Sequence, residues 1–148
     1  MSTKPIGASI LVVDDEIAYC DAAAEILRAY GYSVHQAYDA RAAGQVLRDV
    51  RPDVILMDIM MPEIDGLTFL REISSLPSLL GIRLVTVSGM TSPADRSHAL
   101  MAGADAFLAK PYTTKQLLAV IEYVLGRRPP QTSPLPPTFA VRPAAARS

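Results

Sequence analysis

Ser9-Ile-Leu-Val-Val-Asp-Asp-Glu16 is five residues of apolar, mostly β-branched character closed abruptly by three carboxylates. A run this short suits a strand better than a helix, and its apolar character on both alternating faces suits a strand covered on both sides, as in a parallel sheet. Four further runs are likewise short and carry β-branched or aromatic residues: residues 33–38, Val54-Ile-Leu-Met57, Arg83-Leu-Val-Thr-Val87 and Ala106-Phe-Leu108. The runs at 9–13, 54–57 and 83–87 are apolar nearly throughout. Between the runs lie segments with helix-start signals. Asp39 precedes 40–49, Asp65 precedes 66–75, Ser92-Pro93 opens 94–102 and Thr113 opens 114–125; these are N-cap residue types, one followed by proline at the first helical position. Residues 16–30 carry Ala22, Ala23, Ile26, Leu27 and Tyr30, and 114–125 carry Leu117, Leu118, Ile121, Val124 and Leu125, at helical spacing. Gly31 and Gly103 stand where helix ends want a left-handed residue. Gly44, inside the second helix, is a local misfit worth about 1 kcal/mol relative to alanine. Five strands alternating with five helices predict an α/β fold with a doubly wound parallel sheet. In such a sheet the site lies beyond the carboxyl ends of the strands.

The rest of the 148-residue chain bounds this reading. Half the residues are apolar and a fifth are charged, an ordinary globular composition. A single cysteine, Cys20, excludes an intrachain disulfide and a cysteine-based zinc cluster. With no apolar stretch near the roughly 20 residues of a membrane span and no long apolar segment at the N-terminus, a cytoplasmic protein without a membrane partner is expected. All 15 acidic residues fall within 1–126 against ten Lys and Arg, a net −5 there, which disfavours nucleic acid as a direct partner. Residues 1–7 read as an N-terminal extension, 8–126 as the folded domain, and 127–148 as a disordered, partly polyproline tail. That tail holds six of the 12 prolines and four arginines with no acid. Its Pro134-Leu-Pro-Pro137 fits a proline-recognition pattern, although a plain solvated tail is the simpler reading. No DNA-binding or catalytic output domain is expected after residue 126.

The predicted strand ends carry the chemistry. They are Asp14-Asp15-Glu16, Asp58, Ser88-Gly89 and Lys110-Pro111. Two like charges about 5 Å apart cost about 3 kcal/mol at an effective dielectric of 20. Clustered carboxylates therefore raise a pKa or bind a cation. With oxygen donors and no histidine at any strand end, Mg²⁺ is favoured over zinc. A hydroxyl and an ammonium beside them suit a phosphoryl group, for which a carboxylate can be the nucleophile. Asp58, on a central strand, is the candidate, and Gly89 leaves the approach open. Taken singly, each motif could be a turn, a cap or a strand end; their joint placement at strand ends favours the functional reading. Cys20, His35 and His98 are read as ordinary packing or surface residues.

Four motifs in order, Leu11-Val-Val-Asp-Asp-Glu16, Leu56-Met-Asp-Ile-Met-Met-Pro-Glu-Ile-Asp-Gly66, Val87-Ser-Gly89 and Gly103-Ala-Asp-Ala-Phe-Leu-Ala-Lys-Pro111, make residues 8–126 resemble the receiver domain of two-component response regulators, of single-domain type. The resemblance implies a flavodoxin-like (βα)5 sheet of order 2-1-3-4-5. It implies Asp58 as phosphoacceptor, and Mg²⁺ held by Asp15 and Asp58 with the backbone carbonyl of Met60, Asp14 acting mostly through water. It implies Ser88 and Lys110 as phosphate-binding groups beside Gly89, Phe107 as an aromatic switch moving inward after Ser88, Pro62 and Gly66 as loop-shaping residues, and a cis peptide before Pro111. The implied partner is a sensor histidine kinase or histidine phosphotransfer protein, contacting residues near 17–20 and 112–115. Output would pass through the face built from the fourth helix, fifth strand and fifth helix to a protein target that the sequence does not name. Met60 and Met90, flanking Asp58 and Ser88, imply slow self-hydrolysis. The chain would catalyse only its own phosphorylation and dephosphorylation. Two alternatives stay open: an unphosphorylated adaptor of the same fold, and, ranked below it, a phosphohydrolase with an Asp nucleophile, disfavoured because Met60 cannot act as the acid that such enzymes carry two residues on. A homodimer is neither required nor excluded.

Overall fold

The computed structural model describes residues 8–59, 81–89, 94, 97, 103–126 and 139–141. The strands are β1 (Ser9–Val13), β2 (Ser33–Ala37), β3 (Val54–Asp58), β4 (Arg83–Ser88), β5 (Ala106–Ala109) and β6 (Phe139–Val141). The described helices are α1 (Ile17–Ala29), α2 (Ala40–Asp49) and α3 (Thr114–Val124). The sheet order is β2-β1-β3-β4-β5-β6, with the first five strands parallel. The expected order 2-1-3-4-5 is therefore present. The helices expected at 66–75 and 94–102 lie outside the described residues, apart from residues 94 and 97.

Alternation along the strands builds two cores. Ile10, Val12, Val54, Leu56, Val85, Val87, Ala106 and Leu108 face one side, against Cys20, Ala24 and Leu27 of α1 and Leu117, Val120 and Ile121 of α3. Leu11, Val13, Ile55, Met57 and Leu84 face the other, with Ala40 and Ala43 of α2. A parallel strand buried on both faces has no polar side to spare, which is why these runs are apolar throughout. Cys20 is fully buried, with Sγ 3.7 Å from the Val12 carbonyl, as expected of a small packing residue. His35 is half-buried on the edge strand β2, opposite Leu11.

The helix signals act as the chemistry requires. The Asp39 carboxylate accepts the Ala42 N–H at 2.7 Å. Thr113 and Gln116 form a reciprocal capping box at the start of α3. Gly31 and Gly103 hold φ of 95° and 123°, which a side chain would resist.

One element differs from the sequence expectation. Residues 127–148 read as a solvated tail, yet Phe139–Val141 adds to the sheet as an antiparallel strand on β5. The segment lies in the window between Pro137 and Pro143, where every residue keeps its backbone N–H. No described helix is long and apolar enough to cross a membrane.

Candidate functional site

Sheet order brings the sequence-distant acids together. β1 lies between β2 and β3, so the chain leaves it in opposite directions across the sheet, and a crevice opens between the carboxyl ends of β1 and β3. Val13 pairs with Met57, so Asp14 and Asp58 follow side by side. Ser88 closes β4 and pairs with Ala109 on β5, placing Lys110 one residue further along the same rim. The Lys110 N–H donates to the Ser88 carbonyl at 2.9 Å, fixing that juxtaposition. The Lys110–Pro111 peptide is cis, as expected.

Lys110 is the centre of the site. Its Nζ lies 2.9 Å from Asp14 Oδ2, 2.7 Å from Glu16 Oε1 and 2.9 Å from Asp58 Oδ2. Carboxylate oxygens of Asp14, Glu16 and Asp58 lie within 4.8 Å of one another. One ammonium is shared among three carboxylates. Burial pushes the Asp14 carboxyl up to about 6, against the hydrogen bonds from Lys110 and the Glu16 N–H. Burial works to lower the Lys110 pKa, and the three carboxylates overcome it, holding the ammonium above its usual value. A desolvated carboxylate that leans towards protonation beside two others is a hard oxygen donor set in want of positive charge.

The expected residues meet with one exchange. Asp14, Asp58, Ser88 and Lys110 share the rim, but the acid that completes the oxygen cluster is Glu16, whereas Asp15 had been expected as the direct metal ligand. The Glu16 N–H donates to Asp14 Oδ1 at 2.9 Å, a tight turn that leaves Asp15 half-buried between the two acids that reach Lys110. Ser88 is fully buried. Gly89 is exposed, and a Cβ placed there would meet nothing within 4 Å. Asp58 itself is only 3% exposed, and the group seated on its Oδ2 is Lys110. Phe107 is fully buried beside Ala109 and Ile59, so the inward motion expected of it has no outward starting point here. Met60, Pro62, Gly66, Met90 and His98 lie outside the described residues.

Two aromatic residues, one from each of the segments 17–20 and 112–115 that the family resemblance marks as the donor-contact surface, frame the lysine. Nζ of Lys110 sits 4.1 Å from the centroid of the Tyr19 ring, and Tyr19 meets Tyr112 at 5.7 Å between centroids. Burial raises the Tyr112 hydroxyl well above its usual value, so it stays protonated. Tyr112 stands two residues after Lys110 and Tyr19 is the third residue of α1, but the sequence alone does not show that the two rings meet at the lysine.

The family model described as response regulator receiver domain matches residues 10–122. The chain is 39% identical over 121 residues to response regulator MprA of Mycolicibacterium vanbaalenii, covering 82% of this chain and 52% of that protein. It is 38% identical over 122 residues to response regulator MprA of Mycobacterium avium, covering 82% and 53%. The chain thus spans about half the length of these curated relatives. Among solved structures it resembles chemotaxis response regulator CheY4 of Vibrio cholerae, with TM-score 0.75, 29% identity, and coverage of 80% of this chain and 98% of that one. It also resembles a CheY-like receiver domain protein of Methanospirillum hungatei, with TM-score 0.74, 30% identity, and coverage of 82% and 96%.

Proposed function

The chain belongs to the response regulator receiver domain family, and from that premise we propose that Asp58 takes a phosphoryl group from the phosphohistidine of a kinase or phosphotransfer protein. An Asp58 carboxylate oxygen attacks phosphorus as the phosphorus–nitrogen bond breaks, and the leaving imidazole takes up a proton. The observation that carries this reading is the Asp58 carboxylate at the end of a central strand, 2.9 Å from a buried ammonium and clustered with Asp14 and Glu16. The donor set fits Mg²⁺. Asp14, Glu16 and Asp58 are the oxygens that the fold already gathers; Asp15 and the Met60 carbonyl are the donors that the family pattern adds. A bound Mg²⁺ would neutralise charge between the carboxylate and the incoming phosphoryl oxygens.

Lys110 does two jobs in this reading. Before transfer it covers Asp58 Oδ2 and compensates the cluster; afterwards it pairs with a phosphoryl oxygen, while the Ser88 hydroxyl donates to another. The ammonium leaves Asp58 without leaving the pocket, because Glu16, with 57% of its side chain exposed, holds it from the solvent side. Phe107 starts buried, so the switch acts by repacking around the ring and Ile59 rather than by carrying the ring inward. Output is read on the face formed by β5, α3 and the helix expected at 94–102. Ile17, 60% exposed at the start of α1, and the Tyr19–Tyr112 pair beside Lys110 supply an apolar surface against which a phosphohistidine donor docks.

Incubation with acetyl phosphate and Mg²⁺, followed by intact-mass measurement, tests the assignment. The wild-type chain gains one phosphoryl group, and Asp58→Asn gains none. Labelling of Asp58→Asn at the wild-type rate removes Asp58 from the reaction. The near-complete burial of Asp58 is the observation in favour of the second reading, an unphosphorylated adaptor. That reading is the one left standing if neither protein is labelled.

A further inference from the structure

Phosphoryl transfer makes no use of β6. β5 is four residues, Ala106-Phe-Leu-Ala109, all buried, with no charge and no proline. Natural sheets blunt such edges with charges, prolines, bulges or a covering element, because a bare apolar edge templates a foreign strand. Here the covering element is the chain's own tail. Val141 pairs with Ala106, Ala140 with Phe107 and Phe139 with Leu108, antiparallel. The ladder ends where the sequence must end it, since Pro137 and Pro143 bracket the segment and neither can donate to a ladder. Residues 125–138 span from the end of α3 to β6. Fourteen residues reach about 45 Å when extended, against about 16 Å for the length of an 11-residue helix. The tail therefore reaches β5 of its own chain with slack.

We propose that the outer edge of β5 is a strand-addition site for an extended apolar peptide segment, kept filled by the tethered segment Phe139–Val141. Such a ligand adds antiparallel to residues 106–108 and pairs backbone to backbone, as peptides do in other strand-addition complexes. The tail holds the edge through its high effective concentration rather than through a long ladder. A segment free of flanking prolines can pair over more of β5 than three residues, and so displaces it. The proposal does not depend on phosphorylation of Asp58, and its test uses the unphosphorylated full-length chain.

The test compares wild type with full-length Ala140→Pro, which cannot keep the ladder. Amide exchange of residues 106–108 is read by NMR, with amides of β1 and β3 as the control for global unfolding. The probe is a synthetic peptide copying residues 138–142 with threonine in place of each flanking proline. The outward-facing β5 amides exchange at least about tenfold faster in Ala140→Pro, with β1 and β3 unchanged. The peptide binds the variant at least about tenfold more tightly than wild type and restores the slow exchange. Equal exchange in the two proteins overturns the cover. Failure of the peptide to bind the variant, or equal binding to both, overturns the addition site. Protection that grows with protein concentration alongside a dimeric mass shows a second copy's tail on the edge, and overturns the assignment to the same chain.

Discussion

At the scale of single residues, the site is a problem of one cation shared three ways. Removing the Lys110 ammonium takes away the cation that the buried carboxylates of Asp14 and Asp58 share. Breaking a buried ion pair from one side costs about 3–5 kcal/mol, so Lys110→Met should lower metal-free stability by about 3 kcal/mol in urea unfolding. Millimolar Mg²⁺ should recover part of that loss; if the ion restores nothing, the carboxylate cluster is not its site. Asp14 adds a pH signature. Its folded pKa of about 6 lies above the ordinary 3.8, so over the interval between them the folded state keeps a proton that the unfolded chain has released. The stabilisation from this group is complete below about pH 4 and is lost as pH rises through about 6, a change of up to roughly 3 kcal/mol. Asp14→Asn should flatten the metal-free stability profile over that window, and an unchanged profile would assign the slope to other groups. Asp14, Asp58 and Lys110 were legible in the sequence because each directly follows an apolar run. Glu16 was visible as the third acid of its run, but which of three consecutive carboxylates reaches a lysine 94 positions away depends on the turn closed by Asp14, and no spacing rule encodes that.

Secondary-structure elements show where local rules hold and where a better residue is available. The caps at Asp39 and Thr113 were readable because capping is a contact within one turn. Gly44, inside α2, was readable as a misfit for the same reason, and the structure gives it no compensating role. A Cβ there would meet nothing within 4 Å, and its φ is not in the left-handed region. Gly44→Ala should therefore stabilise the chain by about 0.5–1 kcal/mol through the unfolded-state entropy of glycine, seen as a higher urea midpoint at unchanged slope. A destabilised variant would mean that α2 packs more closely in solution than this geometry shows. β6 was not legible, and the cause is physical. Six prolines dominate the composition of residues 127–148, and three residues of strand carry no periodicity of their own. Their pairing is decided by the bare edge of β5, which exists only once the sheet has assembled.

For the whole molecule, the fold concentrates charge that the chain distributes thinly. The net −5 of residues 1–126 is modest, yet the sheet order places three carboxylate oxygens within 4.8 Å at one crevice. Part of the stability of the folded chain is thereby exchanged for affinity towards a cation, since repulsion held in the metal-free state is released on binding. Linkage makes this measurable without any phosphoryl donor. At a free Mg²⁺ concentration tenfold above its dissociation constant, binding to the folded state alone adds about 1.4 kcal/mol, or about 3–5 °C in melting temperature for a chain of this size. Asp58→Asn should lose most of that shift because it removes one of the ionised oxygens, whereas Gly44→Ala should keep it in full. The shift should shrink below about pH 6, where Asp14 takes a proton and the ion must compete with it. A thermal shift of equal size in wild type and Asp58→Asn, or one insensitive to acid across that range, would place the cation elsewhere on the acidic surface and detach the crevice from metal binding.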